Sequence, residues 1–429
     1  MTQQTEQQAD LQSGTDTEIG FLPNDWNVSH LEEIAVSIDY GTSVKCDHDN
    51  DGVPVLRIPN VVGGKIDLTD LRNGNLKPNE IDAIRLQVGD LLFVRTNGVL
   101  QNAGRCSLFR GELEPCYFAS YLIRVSVDAS RALPAFVNEY ARTELGRSFL
   151  SGQAIRTADG KFNINSGTLK RMSLPLPPLS EQRRIAGVLG LLQRAVEQQE
   201  RLLALVAELK QTLLHHLFTH GLRGEPQKTT DLGPIPQSWE VVQFEDFALL
   251  QRGFDLPRSE FIDGPYPVIG ATTTIGFHHK WNVKGPGVTV VRSGSSAGKP
   301  QFVKIDFWAH NVVLFVKDFH GHNPKFVYYK IQHLDLTKYR EGVAVPTLNR
   351  NSFRAVPVAV PLREEQDEFV QVLDAVEEKE HIHRRKHSAL TSLFRTLQHQ
   401  LMTAQLRVSD LDVESLLSPA VPEPNAAQP

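Results

Sequence analysis

The passage Leu174-Pro-Leu-Pro-Pro-Leu-Ser-Glu-Gln-Arg-Arg-Ile-Ala186 decides how this chain is organised. Its prolines stand just before a predicted long helix, where proline does least harm, and Ser180 can cap that helix. A looser copy, Val360-Pro-Leu-Arg-Glu-Glu-Gln-Asp-Glu-Phe-Val370, precedes a second long helix, with Ala359 and Leu362 in place of prolines. The chain therefore contains the same junction twice.

The regions around the two junctions repeat as well. Trp26 matches Trp239 within similar proline-tryptophan passages, and Ala35 matches Ala248. Further matches join Phe93-Val-Arg-Thr to Val290-Val-Arg-Ser, and Asn165-Ser-Gly-Thr-Leu-Lys-Arg-Met to Asn349-Arg-Asn-Ser-Phe-Arg-Ala-Val. A period near 200 residues is too long for a solenoid, so the repeat indicates a duplicated module.

Each predicted helix has an apolar stripe with alternating spacings of four and three residues, which is typical of a coiled coil. Each helix is about 40 residues long, or about 60 Å, and cannot bury its stripe alone. The stripes predict that the helices pair with each other as an antiparallel coiled coil. The helix-pairing residues are Ile185, Leu189, Leu192, Val196, Leu203, Val206, Leu213, Phe369, Leu373, Val376, Leu390, Phe394 and Leu397.

Histidines near the middle of the second stripe allow two interpretations. His383 and His387 are four residues apart on one helix, which is a spacing that metal ligands use. No carboxylate or cysteine is clearly placed to complete a metal site. We therefore favour a polar layer in the seam, made with Gln199 of the first stripe, that sets the register of the helices.

The segments before each helix combine short apolar runs with short helical patterns, separated by Gly- and Asn-rich breaks. The predicted fold class is α+β, with two similar mixed α/β domains separated by the two paired helices. The predicted boundaries are a disordered acidic tail at 1–19, domain one at 20–178, helix one at 179–221, a linker at 222–233, domain two at 234–362, helix two at 363–407, and a disordered tail at 408–429.

The net charge of −5 is unevenly distributed. Eight carboxylates lie in the two tails, which carry no Lys or Arg, so the rest of the chain is slightly basic. Domain two carries 14 basic against 10 acidic residues, and domain one 17 against 18. If the chain binds DNA, a partner is expected to supply part of the positive surface, because phosphate contacts supply much of the affinity for DNA.

Several classes of protein are disfavoured by what the sequence lacks. No apolar stretch is long enough for a membrane span, and the polar N-terminus does not resemble a signal peptide. Three cysteines without metal or disulfide spacing indicate a reducing compartment, the bacterial cytoplasm. No methyltransferase motif is found. The segment Gly294–Lys299 approaches a P-loop but is one residue short and runs into Pro300, so we favour contact with a DNA phosphate there.

The duplicated domain, the Pro-Leu-x-Glu-Gln passage and the long helix that follows it together resemble the specificity subunits of type I restriction-modification systems, over about residues 20–407. The resemblance implies a non-catalytic, cytoplasmic subunit that reads a split site in double-stranded DNA. It also implies that two methylation subunits dock on the helices and that restriction subunits join them. No cofactor is expected in this chain; S-adenosylmethionine, ATP and magnesium chemistry would belong to the partners.

Arg, Lys, Asn and Gln side chains on loops after strands are suited to reading base edges and phosphates. The predicted DNA-binding residues are Arg95, Thr96, Asn97, Arg105, Arg156, Lys161, Asn163, Arg292, Ser293, Ser295, Lys299, Arg340, Asn349 and Arg350. Trp26 and Trp239 are interpreted as packing residues. Two other functions stay open at this point: a coiled-coil protein-interaction scaffold, and a stand-alone nuclease.

Overall fold

The computed structural model describes residues 14–48, 51–271, 273–342 and 345–411. They form two compact units. The first unit contains the chain up to Gln198 together with the segment that starts at His387. The second unit is the continuous segment Gln199–Lys386.

The first unit is built on a central antiparallel sheet of four strands in the order β10-β8-β12-β4. Smaller sheets flank it, in the orders β11-β6-β7-β5, β13-β14-β9, β15-β3 and β1-β2. The strands are β1 Gly14–Thr17, β2 Gly20–Pro23, β3 Asn27–His30, β4 Ala35–Tyr40, β5 Cys46–Asp47, β6 Val53–Leu56, β7 Arg72–Gly74, β8 Leu91–Val94, β9 Thr96–Asn97, β10 Cys106–Leu108, β11 Tyr117–Phe118, β12 Leu122–Val127, β13 Ile155–Arg156, β14 Phe162–Asn163 and β15 Ser173–Leu176.

The position of the central strand β8 between two cores explains why its sequence is apolar throughout. Leu91 and Phe93 point into one core, which also holds the start of the first long helix. Leu92 and Val94 point into a separate core under the opposite face. A strand that is buried on both faces needs apolar residues at every position.

The second unit repeats this arrangement. Its central sheet has the order β19-β25-β22-β23, and β21-β20-β24, β26-β27, β18-β28 and β16-β17 are its smaller sheets. The strands are β16 Gln227–Thr230, β17 Gly233–Pro236, β18 Glu240–Gln243, β19 Leu249–Arg252, β20 Tyr266–Ile269, β21 Thr274–His278, β22 Gly287–Val291, β23 Pro300–Val303, β24 Trp308–Ala309, β25 Val313–Asp318, β26 Arg340–Glu341, β27 Thr347–Leu348 and β28 Pro357–Val360.

The helices complete both units. Two of them are far longer than the rest, and both contribute residues to each unit. The helices are α1 Leu31–Ile34, α2 Ile58–Val61, α3 Pro78–Ile84, α4 Pro134–Arg142, α5 Glu144–Gly152, α6 Ser166–Lys170, α7 Leu179–His220, α8 Phe244–Phe247, α9 Pro324–Leu334 and α10 Arg363–Met402.

The two long helices pair in opposite directions. The start of α7, at Ile185 and Leu189, shares the core of the first unit with the end of α10, at Phe394 and Leu401. The end of α7 shares the core of the second unit with Phe369 and Leu373 at the start of α10. The predicted fold class is confirmed, including the antiparallel helices. Every residue predicted to pair the helices is buried or half-buried.

A polar contact lies near the middle of the helix pair, as the sequence interpretation proposed. His383 Nδ1 is 2.8 Å from Gln199 Oε1. Both residues are half-buried. Further along the helix pair, towards the end of α7, Lys210 Nζ contacts Glu377 Oε1 at 2.8 Å. These contacts fix which residues face each other across the pair.

Several predicted boundaries differ from the structure. Of the predicted tail 1–19, residues 1–13 lie outside the described part, but Gly14–Thr17 forms a strand that pairs with Gly20–Pro23. The predicted linker 222–233 contains most of the hairpin β16–β17. Helix α10 ends at Met402 instead of 407, because Ala404 has a left-handed φ of 54°. Of the tail 408–429, Val408–Asp410 forms a 3-10 helix with Val408 buried, and residues 412–429 lie outside the described part.

Candidate nucleic-acid interface

The repeated Pro-Leu-x-Glu-Gln passage forms the junction between each globular part and its helix. In the first unit, Trp26 Nε1 donates to Glu181 Oε2 at 3.0 Å. In the second unit, Trp239 Nε1 donates to Glu365 Oε2 at 3.2 Å. Both indoles are buried, so these tryptophans pack and do not stack on bases.

The glutamine that follows each glutamate joins the helix to the globular part. Gln182 accepts from the Leu133 N–H at 2.7 Å and donates to the Pro177 carbonyl at 2.8 Å. Gln366 makes the same pair of bonds, to the Asn323 N–H at 3.0 Å and to the Pro361 carbonyl at 3.0 Å. Both glutamines are fully buried, so each junction is a rigid support for the surface residues beyond it.

In the first unit, the two predicted loops meet in one small sheet. Asn97, Phe162 and Arg156 lie directly opposite one another across β9, β14 and β13. Residues opposite one another in neighbouring strands share a face, so Asn97 and Arg156 flank Phe162. Thr96 and Asn163 pair on the other face, and both are half-buried. The sequence analysis placed these residues on loops, and the structure instead shows short strands.

The basic residues of this sheet differ in whether a carboxylate contacts them. Arg156 is exposed. Lys161 is exposed and lies 2.9 Å from Asp159, whose carboxylate raises the pKa of that lysine. Among the described residues, Arg156 is therefore the cation of this small sheet that has no carboxylate partner.

Two other predicted residues of the first unit are engaged inside the fold. The Arg95 guanidinium lies 4.8 Å above the Tyr40 ring and donates to the Ser120 carbonyl at 3.2 Å. Arg105 donates to the Val62 carbonyl at 2.9 Å and to the Gln101 carbonyl at 3.2 Å. Both arginines thus hold loops in place.

In the second unit, predicted residues line an open cleft of about 800 Å³. Arg292 follows the central strand β22, and Asn349 and Arg350 follow β27. Asn349 also accepts from the Asn351 N–H at 3.1 Å and so begins a 3-10 turn. Arg350 donates to the Leu250 carbonyl at 3.2 Å. The cleft brings together residues from distant parts of the unit.

The remaining predicted residues of this unit lie around a tight loop. Ser293 forms a bridge to Thr347, and Arg340 donates to the Ala297 carbonyl at 2.6 Å. Ser295 and Lys299 are exposed. The loop N–H groups of Gly294, Ala297, Gly298 and Lys299 all donate to carbonyl groups of this unit. These N–H groups cannot cradle a phosphate, so any phosphate contact would come from the Ser295 and Lys299 side chains.

Most residues of the cleft were not predicted from the sequence, and Arg252, Phe254 and Asn311 are among them. Arg252 ends strand β19, and Gly253 follows it at a place where a β-carbon would lie 2.1 Å from the His310 carbonyl oxygen. The signal was available in the repeat, because Tyr40-Gly41 holds the same place at the end of β4. Asn311 donates to Asp255 at 2.7 Å. It belongs to none of the repeated motifs, so no sequence pattern indicated it.

Metal chemistry has no site among the residues that the structure describes: no group of three or more His, Cys, Asp or Glu side chains is arranged to hold a metal ion. The helices of that same part of the chain include none with the length and apolar character needed to cross a membrane.

Comparison with known proteins gives relatives over nearly the whole chain. Residues 236–392 match the family described as the type I restriction modification DNA specificity domain. A putative type I restriction enzyme MjaX specificity subunit from Methanocaldococcus jannaschii is 23% identical over 426 residues, which cover 91% of this chain and 96% of that protein. The type I restriction enzyme EcoKI specificity subunit of Escherichia coli is 29% identical over 201 residues, which cover 46% of this chain and 42% of that protein.

Solved structures show the same fold. The type I restriction-modification S subunit from M. genitalium gives a TM-score of 0.62 at 14% identity, covering 89% of this chain and 97% of that one. A chain from a study of complex assembly and conformational transition of the type I R-M system gives 0.52 at 18% identity, covering 90% and 99%. With the duplicated units and their junctions, these matches show that the chain has the fold of such specificity subunits. Residues 236–392 thus carry a type I restriction modification DNA specificity domain, and the chain over most of its length is similar to specificity subunits of type I restriction-modification systems.

Proposed function

We propose that each globular part reads one half of a bipartite site in double-stranded DNA, and that the paired helices hold the two readers at a fixed spacing. The observation that carries this proposal is the matched order of strands in the two units, with polar side chains at corresponding strand ends. Two similar readers on one rigid support select half-sites at one separation, and each raises the effective concentration of the other.

The proposed reading surfaces are the small sheet at Asn97 and Arg156 in the first unit and the arginine-lined cleft in the second. Both present the amide and guanidinium groups that read base edges in the major groove. Both stand on scaffold strands whose position is fixed by buried cores, which preorganises the readers. Ser295 and Lys299 are proposed phosphate contacts beside the cleft.

The proposed partners are two methylation subunits, which dock on the long helices, and restriction subunits that join them. Support comes from Leu205 and Leu209 of α7, which are exposed at 60% and 47% although they are apolar. An apolar face on a charged helix is typical of a protein-binding surface. The S-adenosylmethionine, ATP and magnesium chemistry would then lie in those partners, and the complex would work in the cytoplasm, where the DNA is.

The test is to map methylated adenines across the genome with this gene deleted and then restored, while the methylation subunits stay expressed. We expect a split motif that disappears with the deletion and returns with the gene. An unchanged methylation map would refute the proposal.

A binding assay with purified proteins complements this map. We expect the chain to shift duplex DNA that carries the motif strongly only when the methylation subunits are present. Cleavage of DNA by the chain alone would instead indicate a nuclease, and partner binding without any DNA preference would indicate a scaffold.

A further inference from the structure

Three positions of the first unit correspond to three of the second, and two of them carry different side chains. The first is the last residue of the edge strand of the central sheet, which is β4 in one unit and β19 in the other. The second is the residue that follows the inner strand β8 or β22. The third is the residue that follows the capping Asn165 or Asn349. The correspondence follows from matched backbone bonds: the N–H groups of Ile164 and Leu348 donate to the carbonyls of Arg95 and Arg292. The pairs are Tyr40 and Arg252, Arg95 and Arg292, and Ser166 and Arg350.

In the first unit these positions bond to one another. The Tyr40 hydroxyl accepts from the Ser166 N–H at 2.9 Å and lies 3.2 Å from the Ser166 hydroxyl. The Arg95 guanidinium covers the Tyr40 ring at 4.8 Å. The tyrosine therefore occupies the space that lies open in the second unit.

In the second unit the three arginines cannot bond to one another, because their charges repel. They line the open cleft of about 800 Å³. Within the described residues, Arg350 is bonded to the Leu250 carbonyl, whereas no hydrogen bond holds the guanidinium of Arg252 or Arg292. Two planar sets of donors thus face the cleft unpaired.

The other groups in the cleft narrow the choice of ligand. Two carboxylates, Asp255 and Glu341, line it together with the Gln251 and Asn311 amides. Carboxylates in the lining of the cleft would repel a phosphate group, so the cleft is poorly suited to hold the DNA backbone. The same mixture suits a base-pair edge, since arginine donates to guanine O6 and N7 and a carboxylate accepts from the cytosine amino group.

We propose that this cleft reads the major-groove edge of a guanine-cytosine pair through Arg252 and Arg292, and that the first unit reads its half-site without a counterpart of this pocket. The inference rests on the proposed function, because it assumes that the second unit meets duplex DNA. It adds the base-pair class, the reading residues and the unequal use of two similar domains.

The test uses the full complex with its methylation subunits. Arg292→Ala is compared with Arg354→Ala, which removes the same charge from the same unit at an ion pair with Glu245. For Arg292→Ala we expect the motif to lose its preference for guanine at one position of one half-site. Affinity for the cognate duplex should fall about 5- to 150-fold, with little change for a duplex in which that pair is replaced. Arg354→Ala should keep the wild-type motif.

A second variant, Arg292→Lys, keeps the charge but loses the planar pair of donors, so it should relax the same position. A different result would be that the Arg292→Ala complex binds all DNA sequences more weakly by the same factor, with the slope of log binding constant against log salt concentration reduced by about one. That result would mean a phosphate contact and would overturn the inference. An unchanged motif in both Arg292 variants would also overturn it. Both results leave the proposed function standing, whereas its own failure would appear as a wild-type complex without any motif.

Discussion

Removal of Arg407 tests whether the last described segment of the chain holds the first unit together. Arg407 Nε and one terminal nitrogen donate to the two oxygens of Glu181, both at 2.8 Å. Its terminal nitrogens also contact Asp25 at 2.6 and 3.0 Å. Glu181 in turn accepts the Trp26 indole N–H, so four residues from three distant parts of the sequence share one network.

The expected cost of Arg407→Ala follows from how buried each arm is. The Glu181 side chain is 11% exposed and would lose its cation, for which removal of one partner from a buried pair costs about 3–5 kcal/mol. The Arg407 side chain is 24% exposed, so water compensates part of the loss and we expect about 2–4 kcal/mol. For a unit of this size the melting temperature should fall by about 5–15 °C.

Asp25→Asn is the matched control, because Asp25 is 49% exposed and its arm should contribute no more than about 1 kcal/mol. Arg407 lowers the pKa of Asp25. The small contribution of Asp25 is therefore complete above the pKa of the unfolded chain and is lost as the pH falls through the lower, folded value.

The assay is urea unfolding followed by hydrogen-exchange mass spectrometry, which separates peptides of the first unit from those of the second. Arg407→Ala should reduce protection across the first unit and leave the second unchanged. Equal losses for Arg407→Ala and Asp25→Asn, or no loss for either, would refute the burial argument.

Three further predictions concern the second unit and the junctions. Burial lowers the pKa of Lys330 to about 7. Between that value and the pKa of this lysine in the unfolded chain, the unfolded chain holds the extra proton, so the stability of this unit should rise with pH. Calorimetry should show this rise, and Lys330→Met should abolish it. Gln366→Ala should cost about 2–4 kcal/mol in urea unfolding, because it leaves the buried Pro361 carbonyl and the half-buried Asn323 N–H without partners. The change Glu378→Ala at an exposed position should cost little, and equal unfolding midpoints for the two variants would contradict this. Gly298→Ala should lower the melting temperature, because Gly298 has a φ of 87° and a β-carbon would lie 2.7 Å from the Thr337 nitrogen. The control Gly294→Ala has only the backbone strain of its φ of 96°, because its β-carbon would meet no neighbour. Equal losses in melting temperature would show that backbone strain alone determines the effect.

The long helices could be predicted because a stripe of apolar residues is a local pattern. Ile185, Leu189 and Phe369 follow the spacing, and each is fully buried. The predicted end of α10 lies too far along the chain, because a left-handed turn at Ala404 ends the helix, and Arg407 beyond it bonds to the distant Glu181. Composition also misled at Gly14–Thr17, where an acidic, polar stretch pairs with a neighbouring strand.

The cleft was only partly predictable for a similar reason. Arg292 and Arg350 follow strand patterns that the sequence displays, but Arg252 comes to them through the pairing of β19 with β25, some 60 residues later in the chain. Likewise Arg95 matches Arg292 in sequence, yet Tyr40 decides that Arg95 is covered. Which cation is free depends on a neighbour that the repeat does not conserve between the two halves.

The first unit draws on both ends of the described chain, and this has a consequence for biosynthesis. Phe394, Leu401 and Val408 fill its core, although they are made long after the strands they cover. The second unit needs only the continuous segment between them. During translation the later-encoded unit should therefore mature first, while the earlier one waits, incomplete, for the final stretch of the message. A truncated chain that ends near residue 390 and has been released from the ribosome should carry a protease-resistant second unit and a protease-sensitive first one.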